Sequence, residues 1–224
     1  MQKGILLFIL LCFPGLLWPR SRTVLKYGIV QTSFRQESSY RPGESQNINR
    51  RGFGVFREYF PKGNNYMYVS YGLAFVRKSV LLLHRTWPIS WMEYNAFYVG
   101  DIKADVGFLE WPLAFGLQVP LFKDIIFSAF SGFSFSFPVK DYSEVMEKEI
   151  IYLSHEDPSR FDYNFSDELY LGPTFNMILG ADINFKHVGF EFCYSRSLQT
   201  TSGFTGLVIE DYFDCWQFML RFSF

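Results

Sequence analysis

The sequence has few cysteines and histidines, and its charges nearly cancel. Its 224 residues include 3 cysteines and 3 histidines, and 21 Lys and Arg against 22 Asp and Glu give a net charge of -1. Two cysteines beyond the N-terminal segment are too few for a disulfide-based scaffold. The three histidines show none of the spacings typical of metal sites, and the balanced charge gives no electrostatic basis for nucleic-acid binding. We therefore predict no cofactor and no nucleic-acid partner.

Long hydrophobic runs are equally scarce, and the clearest one is at the N-terminus. There Lys3 precedes an apolar stretch from Gly4 to Trp18, which is shorter than the ~20 residues of a membrane-spanning helix. A positive residue followed by such a stretch is typical of a secretory signal peptide. We predict a signal peptide at residues 1–22, without a defined cleavage site, and a single domain at 23–224. An uncleaved anchor helix and a lipoprotein modified at Cys12 are the alternatives.

Aromatic residues are abundant, and they alternate with polar ones. Phe, Tyr and Trp make up 21% of the chain, although the mean hydropathy is only +0.03. In residues 169–185 the odd positions are mostly bulky and apolar and the even positions mostly small or polar, which is the pattern of a strand with one apolar face. The same alternation predicts seven further strands, at residues 25–34, 50–60, 67–75, 105–117, 125–137, 188–195 and 215–224.

The connections between these strands alternate between long and short. Long ones lie at 36–49, 78–103, 138–168 and 198–210, and short ones at 60–66, 118–124 and 186–187. An even number of antiparallel strands, with long loops at one end and short turns and both termini at the other, is the plan of a bacterial outer-membrane barrel. A two-residue turn at Lys186 and His187 would pair Phe185 with Val188 and keep both apolar faces on one side. We expect 138–168, which is charged and has no membrane strand, to form the largest external loop.

The chain ends on an alternating strand whose last residue is apolar. Because the interior of an eight-stranded barrel has room for only small or polar side chains, the bulky face is expected to point outward, into lipid. We therefore predict an all-β, eight-stranded antiparallel transmembrane β-barrel in the bacterial outer membrane. A soluble barrel or sandwich with the apolar faces inward is the alternative. The terminal strand also resembles the signature by which the barrel-assembly machinery recognises outer-membrane proteins, and its apolar residues are Trp216, Phe218, Leu220, Phe222 and Phe224.

The opposite faces of the strands predict a polar lumen. We expect its polar residues to pair with one another and hold the barrel closed, since an unpaired buried charge is costly; a narrow polar path is the alternative. Cys193 and Cys215 also point inward on adjacent strands. With a connection centred near residues 201–206 they would be directly opposed and within reach of a disulfide, and two free thiols are the alternative. The predicted lumen set comprises Glu110, Asn176, Asp182, Asn184, Glu191, Gln217 and Arg221.

Several segments resemble the PorT-like outer-membrane β-barrel proteins, which are akin to the small OmpA, OmpX and OmpW barrels. They are RRGFGVFREYF followed by NYMYVSYGLAF, GFLEWPLAFGLQ with its Leu-Glu-Trp-Pro at 109–112, LGPTFNMILGADINFKHVGFEFCYSRSL, and the closing QFMLRFSF. This resemblance covers most of the chain after the signal peptide. It implies the barrel fold and involvement in protein secretion across the outer membrane, and it supplies no catalytic residues.

These patterns favour a protein without catalytic activity. We expect a surface-exposed scaffold, or a component of an envelope or secretion assembly, that contacts outer-membrane lipid and binds partners through its second and third long loops. A narrow small-solute channel is the first alternative. A lipid-modifying enzyme is the second, and it would need a nucleophile, a base and an acid on neighbouring strands. The candidate bases His84, His155 and His187 lie instead in predicted loops or turns.

Overall fold

The computed structural model describes residues 20–36, 45–91, 94–142, 144–152, 170–198, 202–203 and 211–224. Most of the predicted signal peptide and much of the predicted largest loop lie outside these ranges, as do Cys12 and His155. No helix long and apolar enough to cross a membrane occurs in the described part of the chain. The strands are β1 (Arg20–Gln36), β2 (Ser45–Asn47), β3 (Asn49–Phe60), β4 (Met67–Trp91), β5 (Tyr94–Phe122), β6 (Ile125–Asp141), β7 (Glu144–Tyr152), β8 (Tyr170–Leu171), β9 (Thr174–Phe185), β10 (Val188–Ser197), β11 (Ser202–Gly203) and β12 (Asp211–Ser223).

Eight of these strands form a closed antiparallel barrel. Their order is β4-β3-β1-β12-β10-β9-β6-β5, and the pairing of β5 with β4 closes the ring. The first and last barrel strands are neighbours, and the terminal residue Phe224 exchanges two backbone hydrogen bonds with Thr23, of 2.9 and 3.1 Å. The predicted eight-stranded barrel is confirmed. Arg20 and Arg22 belong to β1 and pair with Phe60 and Glu58 of β3.

The two faces of the barrel differ as the alternation predicts. Large apolar side chains cover the outside, where Phe115 is 60% and Phe190 67% exposed, while Ser128 and Asn176 on the inside are fully buried. A closed barrel satisfies every backbone polar group internally, as the hydrocarbon core of a membrane requires. An apolar exterior around a polar interior is the arrangement of an outer-membrane barrel. The protein is therefore an integral β-barrel of the bacterial outer membrane, and the soluble alternative is wrong.

The short turns agree with the prediction in one case and correct it in another. Phe185 pairs with Val188 around a turn at Lys186 and His187, as predicted. The predicted connection at 118–124 is wrong, since β5 continues to Phe122 and leaves only two turn residues. The predicted strand at 169–185 is also interrupted between β8 and β9 at residues 172–173, where Pro173 has no N–H to donate to a sheet.

The strands continue beyond the membrane, which the sequence did not predict. Residues 78–103 are not a loop, because β4 and β5 remain paired up to Trp91 and Tyr94. The region 138–168 is not free of strands either, because β7 pairs with the upper part of β5. On the other side β2 pairs with Val80 to Leu82 of β4. Outside the membrane neither face of a sheet must be apolar, so the period of two that marks membrane strands is absent there although the backbone pairing continues.

Candidate functional site: the polar lumen

All seven polar residues predicted for the lumen lie inside the barrel and are buried. They come from the three neighbouring strands β9, β10 and β12 and from β5, so the structure brings them into one interior. The set is Glu110 on β5, Asn176, Asp182 and Asn184 on β9, Glu191 on β10, and Gln217 and Arg221 on β12.

Arg221 lies at the centre of a charged network in the lumen. Its guanidinium contacts Asp182, and its Nη2 is 2.7 Å from Oε1 of Glu58. Its Nη1 is 3.4 Å from Oε2 of Glu191. Arg221 and Glu58 are each 1% exposed at the side chain, so these contacts are made away from bulk water. One cation on β12 therefore binds carboxylates on β3, β9 and β10.

Two cations on β1 complete this network. Arg22 contacts Glu58, and Nζ of Lys26 is 2.6 Å from Oε2 of Glu191. Lys26 also lies over the ring of Phe56, with its Nζ 4.0 Å from the centroid. The three cations and three carboxylates balance, which offsets part of the cost of removing each charge from water. We call the six residues the lumen charge cluster: Arg22, Lys26, Glu58, Asp182, Glu191 and Arg221.

A second polar group crosses the lumen nearer the long-loop end. Nζ of Lys78 is 2.9 Å from Oε1 of Glu110, and the Ser136 hydroxyl donates to the same oxygen at 3.0 Å. The Asn176 amide donates to Ser136 at 2.7 Å and accepts from Ser197 at 2.8 Å. These contacts join β4, β5, β6, β9 and β10 across the interior. Most of the side chains in both groups are buried. Buried polar atoms need such partners in order to be stable there.

Sequence reasoning missed four charged lumen residues. Arg22, Lys26 and Glu58 lie on β1 and β3, the strands with the weakest alternation, and Lys78 fell in a predicted loop. The signal was present in β1, where Lys26 lies between Leu25 and Tyr27, two apolar residues that face outward. Assigning inward and outward faces to the weak strands would have placed Lys26 and Glu58 in the lumen.

The two inward cysteines are not opposed. Cys193 pairs with Gln217 and Cys215 pairs with Ser195, so the predicted register is wrong by two residues. Both cysteines are buried and have free thiols. Sγ of Cys215 is 3.9 Å from Oγ1 of Thr32.

Side chains fill most of the remaining interior. A cavity of about 40 Å³ lies between Lys26, Glu58, Tyr68, Glu191 and Arg221, among other lining residues. A water molecule needs about 10–15 Å³ of such volume, so the cavity has room for only a few waters. Two buried aromatic rings, those of Phe60 and Tyr68, lie in the lumen near the short turns, with their centroids 5.9 Å apart.

Two of the three candidate bases lie in the described residues. His187 lies in its predicted turn, where Nδ1 is 3.0 Å from the backbone oxygen of Ser223. No group of three or more His, Cys, Asp or Glu in the described ranges is placed to hold a metal ion. His84 lies on the part of β4 beyond the membrane.

A separate charged group lies at the long-loop end of the barrel, where Arg50 of β3 and Arg77 of β4 meet Asp105 of β5. Asp105 is fully buried there, and its carboxylate accepts hydrogen bonds of 2.6 and 2.8 Å from Arg77 and of 2.6 and 3.1 Å from Arg50. Burial alone would raise the pKa of Asp105, but the two guanidinium groups outweigh it and hold the pKa below its ordinary value. The carboxylate therefore stays ionised.

Comparison with known proteins gives structural likenesses only. No protein-family model and no curated protein matches the chain. Among solved structures it is similar to Ail, the attachment invasion locus protein of Yersinia pestis, in complex with the heparin analogue sucrose octasulfate (12% identity, TM-score 0.41, 92% of this chain and 99% of that chain).

Two further solved structures are similar to it. The outer membrane protein OprG from Pseudomonas aeruginosa has 11% identity and a TM-score of 0.46 over 91% of this chain and 96% of that chain. LpxR from Salmonella typhimurium has 10% identity and a TM-score of 0.33 over 91% of this chain and 99% of that chain. None of these comparisons tests the resemblance to PorT-like proteins in particular, which stays a prediction.

Proposed function

We propose that the protein is a non-catalytic scaffold of the outer membrane, in which a filled barrel anchors a β-sheet on the cell surface as part of an envelope or secretion assembly. The observation that carries this proposal is the lumen charge cluster. Arg221 binds carboxylates from three other strands inside the barrel, so the interior is used for internal pairing. A solute would have to break these pairs in order to pass.

The sheet beyond the membrane is the part that partners can reach. Its strand order is β2-β4-β5-β7, with β4 and β5 continuing directly from the barrel. The part of β4 from Arg77 to Trp91 can reach a length of about 45 Å, at ~3.3 Å per residue. Because the long connections of outer-membrane barrels face outward, this sheet projects from the cell. A sheet that continues directly from a filled barrel is better suited to presenting a binding surface than to conducting solutes.

The experiment that tests this function is surface labelling of the β4–β5 hairpin. An epitope inserted between Trp91 and Tyr94 should bind antibody on intact cells. The matched control carries the same epitope in the turn at Lys123 and Asp124, at the opposite end of the barrel, and should bind antibody only after permeabilisation. Labelling of the Lys123 turn but not of the hairpin on intact cells would reverse the orientation and overturn the proposal.

A second measurement separates the scaffold from an enzyme. Expression of the protein should leave the mass spectrum of lipid A unchanged, because we assign no nucleophile, base and acid to the described barrel residues. A new lipid A species that appears only with the folded protein would show that it modifies lipid, and the scaffold proposal would fail.

A further inference from the structure

Three cations form a row on the outer surface, just above the apolar band. Arg77 of β4 pairs with Gly107 of β5, and Gly107 pairs with Lys140 of β6. Arg51 precedes Gly52, whose partner is Val76, so Arg51 is next to Arg77 in the same row. Paired positions on neighbouring strands point to one face, and here that face is the outside. We call Arg51, Arg77 and Lys140 the cation row.

The cation row lies at the level where lipid headgroups meet the barrel. Two positions nearer the short turns, the outward residues are Phe53, Phe75, Leu109 and Phe137. The rings of Phe53 and Phe75 lie 5.6 Å apart. A Cβ on Gly107 would come within 2.8 Å of the Phe75 ring, so apolar surface reaches directly up to the cations. The apolar side chains suit acyl chains and the cations above them suit headgroups.

Among the contacts of the described residues, this region holds more cations than acids. Asp105 is the acid that the described contacts place here, and it is shared between Arg77 and Arg50. Tyr142 draws two cations together, since its ring centroid is 4.2 Å from the Arg77 guanidinium carbon and 4.7 Å from Nζ of Lys140. Two like charges around one ring repel each other, and an anion between them removes that repulsion.

From this geometry we infer that the cation row binds the phosphate groups of outer-leaflet lipid headgroups. Arginine and lysine are the side chains that recognise phosphate, and Arg51 and Lys140 are exposed and available. The membrane source is favoured over free phosphate because the cations border the apolar band, so one lipid molecule can contact both. The inference rests on the orientation given under the proposed function, which puts this end at the outer leaflet.

The test uses the folded full-length protein in detergent micelles, titrated with bisphosphorylated lipid A and followed by native mass spectrometry. The same lipid without its phosphates is the ligand control. Each cation near a charged lipid surface contributes about a fivefold change in binding. Arg51→Gln or Lys140→Gln should therefore weaken binding about fivefold, and the double variant about 25-fold.

Arg57→Gln is the matched protein control. Arg57 is an exposed outward arginine of β3 like Arg51, but it lies near the short turns, where it donates to Ser21 and Thr23. It should leave lipid binding unchanged. Unheated gel mobility confirms that each variant is folded before titration.

Four results would overturn the inference. They are equal binding of the two lipids, unchanged binding by the double variant, an equal loss in Arg57→Gln, and displacement of the lipid by millimolar inorganic phosphate, which would make the free ion the ligand. Binding in micelles does not depend on orientation in the cell. Failure here therefore leaves the scaffold function standing, whereas failure of surface labelling overturns the scaffold function.

Discussion

Arg221 and Glu58 are separated by 163 positions in the chain, yet they meet in the lumen with Nη2 and Oε1 2.7 Å apart. Between their strands in the barrel lies β1, so the contact spans the place where the first and last barrel strands meet. The pair forms only after the ring has closed. Its stability is therefore tied to barrel closure and not to any single hairpin.

Removing Arg221 should destabilise the barrel strongly. Arg221→Met keeps most of the side-chain volume but leaves Glu58, Asp182 and Glu191 with two cations in place of three, and breaking a buried pair in this way costs about 3–5 kcal/mol. Urea unfolding in micelles, followed by tryptophan fluorescence, should show a lower midpoint. Arg57→Met, which removes an exposed arginine, should shift the midpoint far less.

Arg221→Lys separates the effect of charge from that of geometry. Lysine keeps the positive charge but cannot hold several carboxylates with one planar group. Its unfolding midpoint should lie between those of the wild type and Arg221→Met. If Arg221→Met has the same unfolding midpoint as the wild type, the lumen charge cluster does not stabilise the fold.

The filled lumen predicts that the protein does not conduct ions across a membrane. In planar bilayers the wild type should give no stepwise conductance, because the lumen charge cluster crosses the interior and the cavity beside it is about 40 Å³. Glu58→Ala with Arg221→Ala removes the central pair and should produce small conductance steps, and Arg57→Ala should not. Wild-type steps that depend on protein insertion would favour the small-solute channel over the scaffold.

The sequence predicts the structural features that contact with lipid requires, and it predicts few of the others. Alternation identified the eight barrel strands and the outward position of Phe218 and Phe224, because each lipid-facing residue must be apolar. It gave no sign that β4 continues to Trp91, since both faces of the outer sheet are free of lipid. The inward position of Arg221 followed from parity, but its contact with Glu58 did not, because pairing across the lumen depends on three-dimensional closure.

The turn between β9 and β10 contains a residue with a strained backbone conformation, and a substitution can relieve that strain. Lys186 has φ of 53°, a left-handed conformation that is unfavourable for most side chains and better tolerated by asparagine. Lys186→Asn should raise the free energy of unfolding by about 0.5–1 kcal/mol. The charge itself matters little, because Nζ is 3.8 Å from Asp124 in an exposed pair. Lys186→Gln removes the same charge without easing the backbone, and it should not stabilise; equal stabilisation by both would attribute the effect to charge.

The register of β10 and β12 can be tested with an introduced cysteine. Cys193 pairs with Gln217 and not with Cys215, and directly opposed residues have Cβ atoms about 4.5–5.5 Å apart, close enough for a disulfide after small adjustments. In the double variant Cys215→Ser with Gln217→Cys, mild oxidation should link residues 193 and 217. Non-reducing peptide mass mapping would identify the link.

The wild-type chain is the matched control for this experiment. Cys193 and Cys215 are offset by two residues along the strands, and such diagonal neighbours lie about 7–8 Å apart, which is beyond disulfide reach. Under the same oxidation the wild type should keep two thiols that react with an alkylating reagent after unfolding. A bridge between Cys193 and Cys215 in the wild type, with none in the double variant, would mean that β12 pairs with β10 two residues away from the register described here.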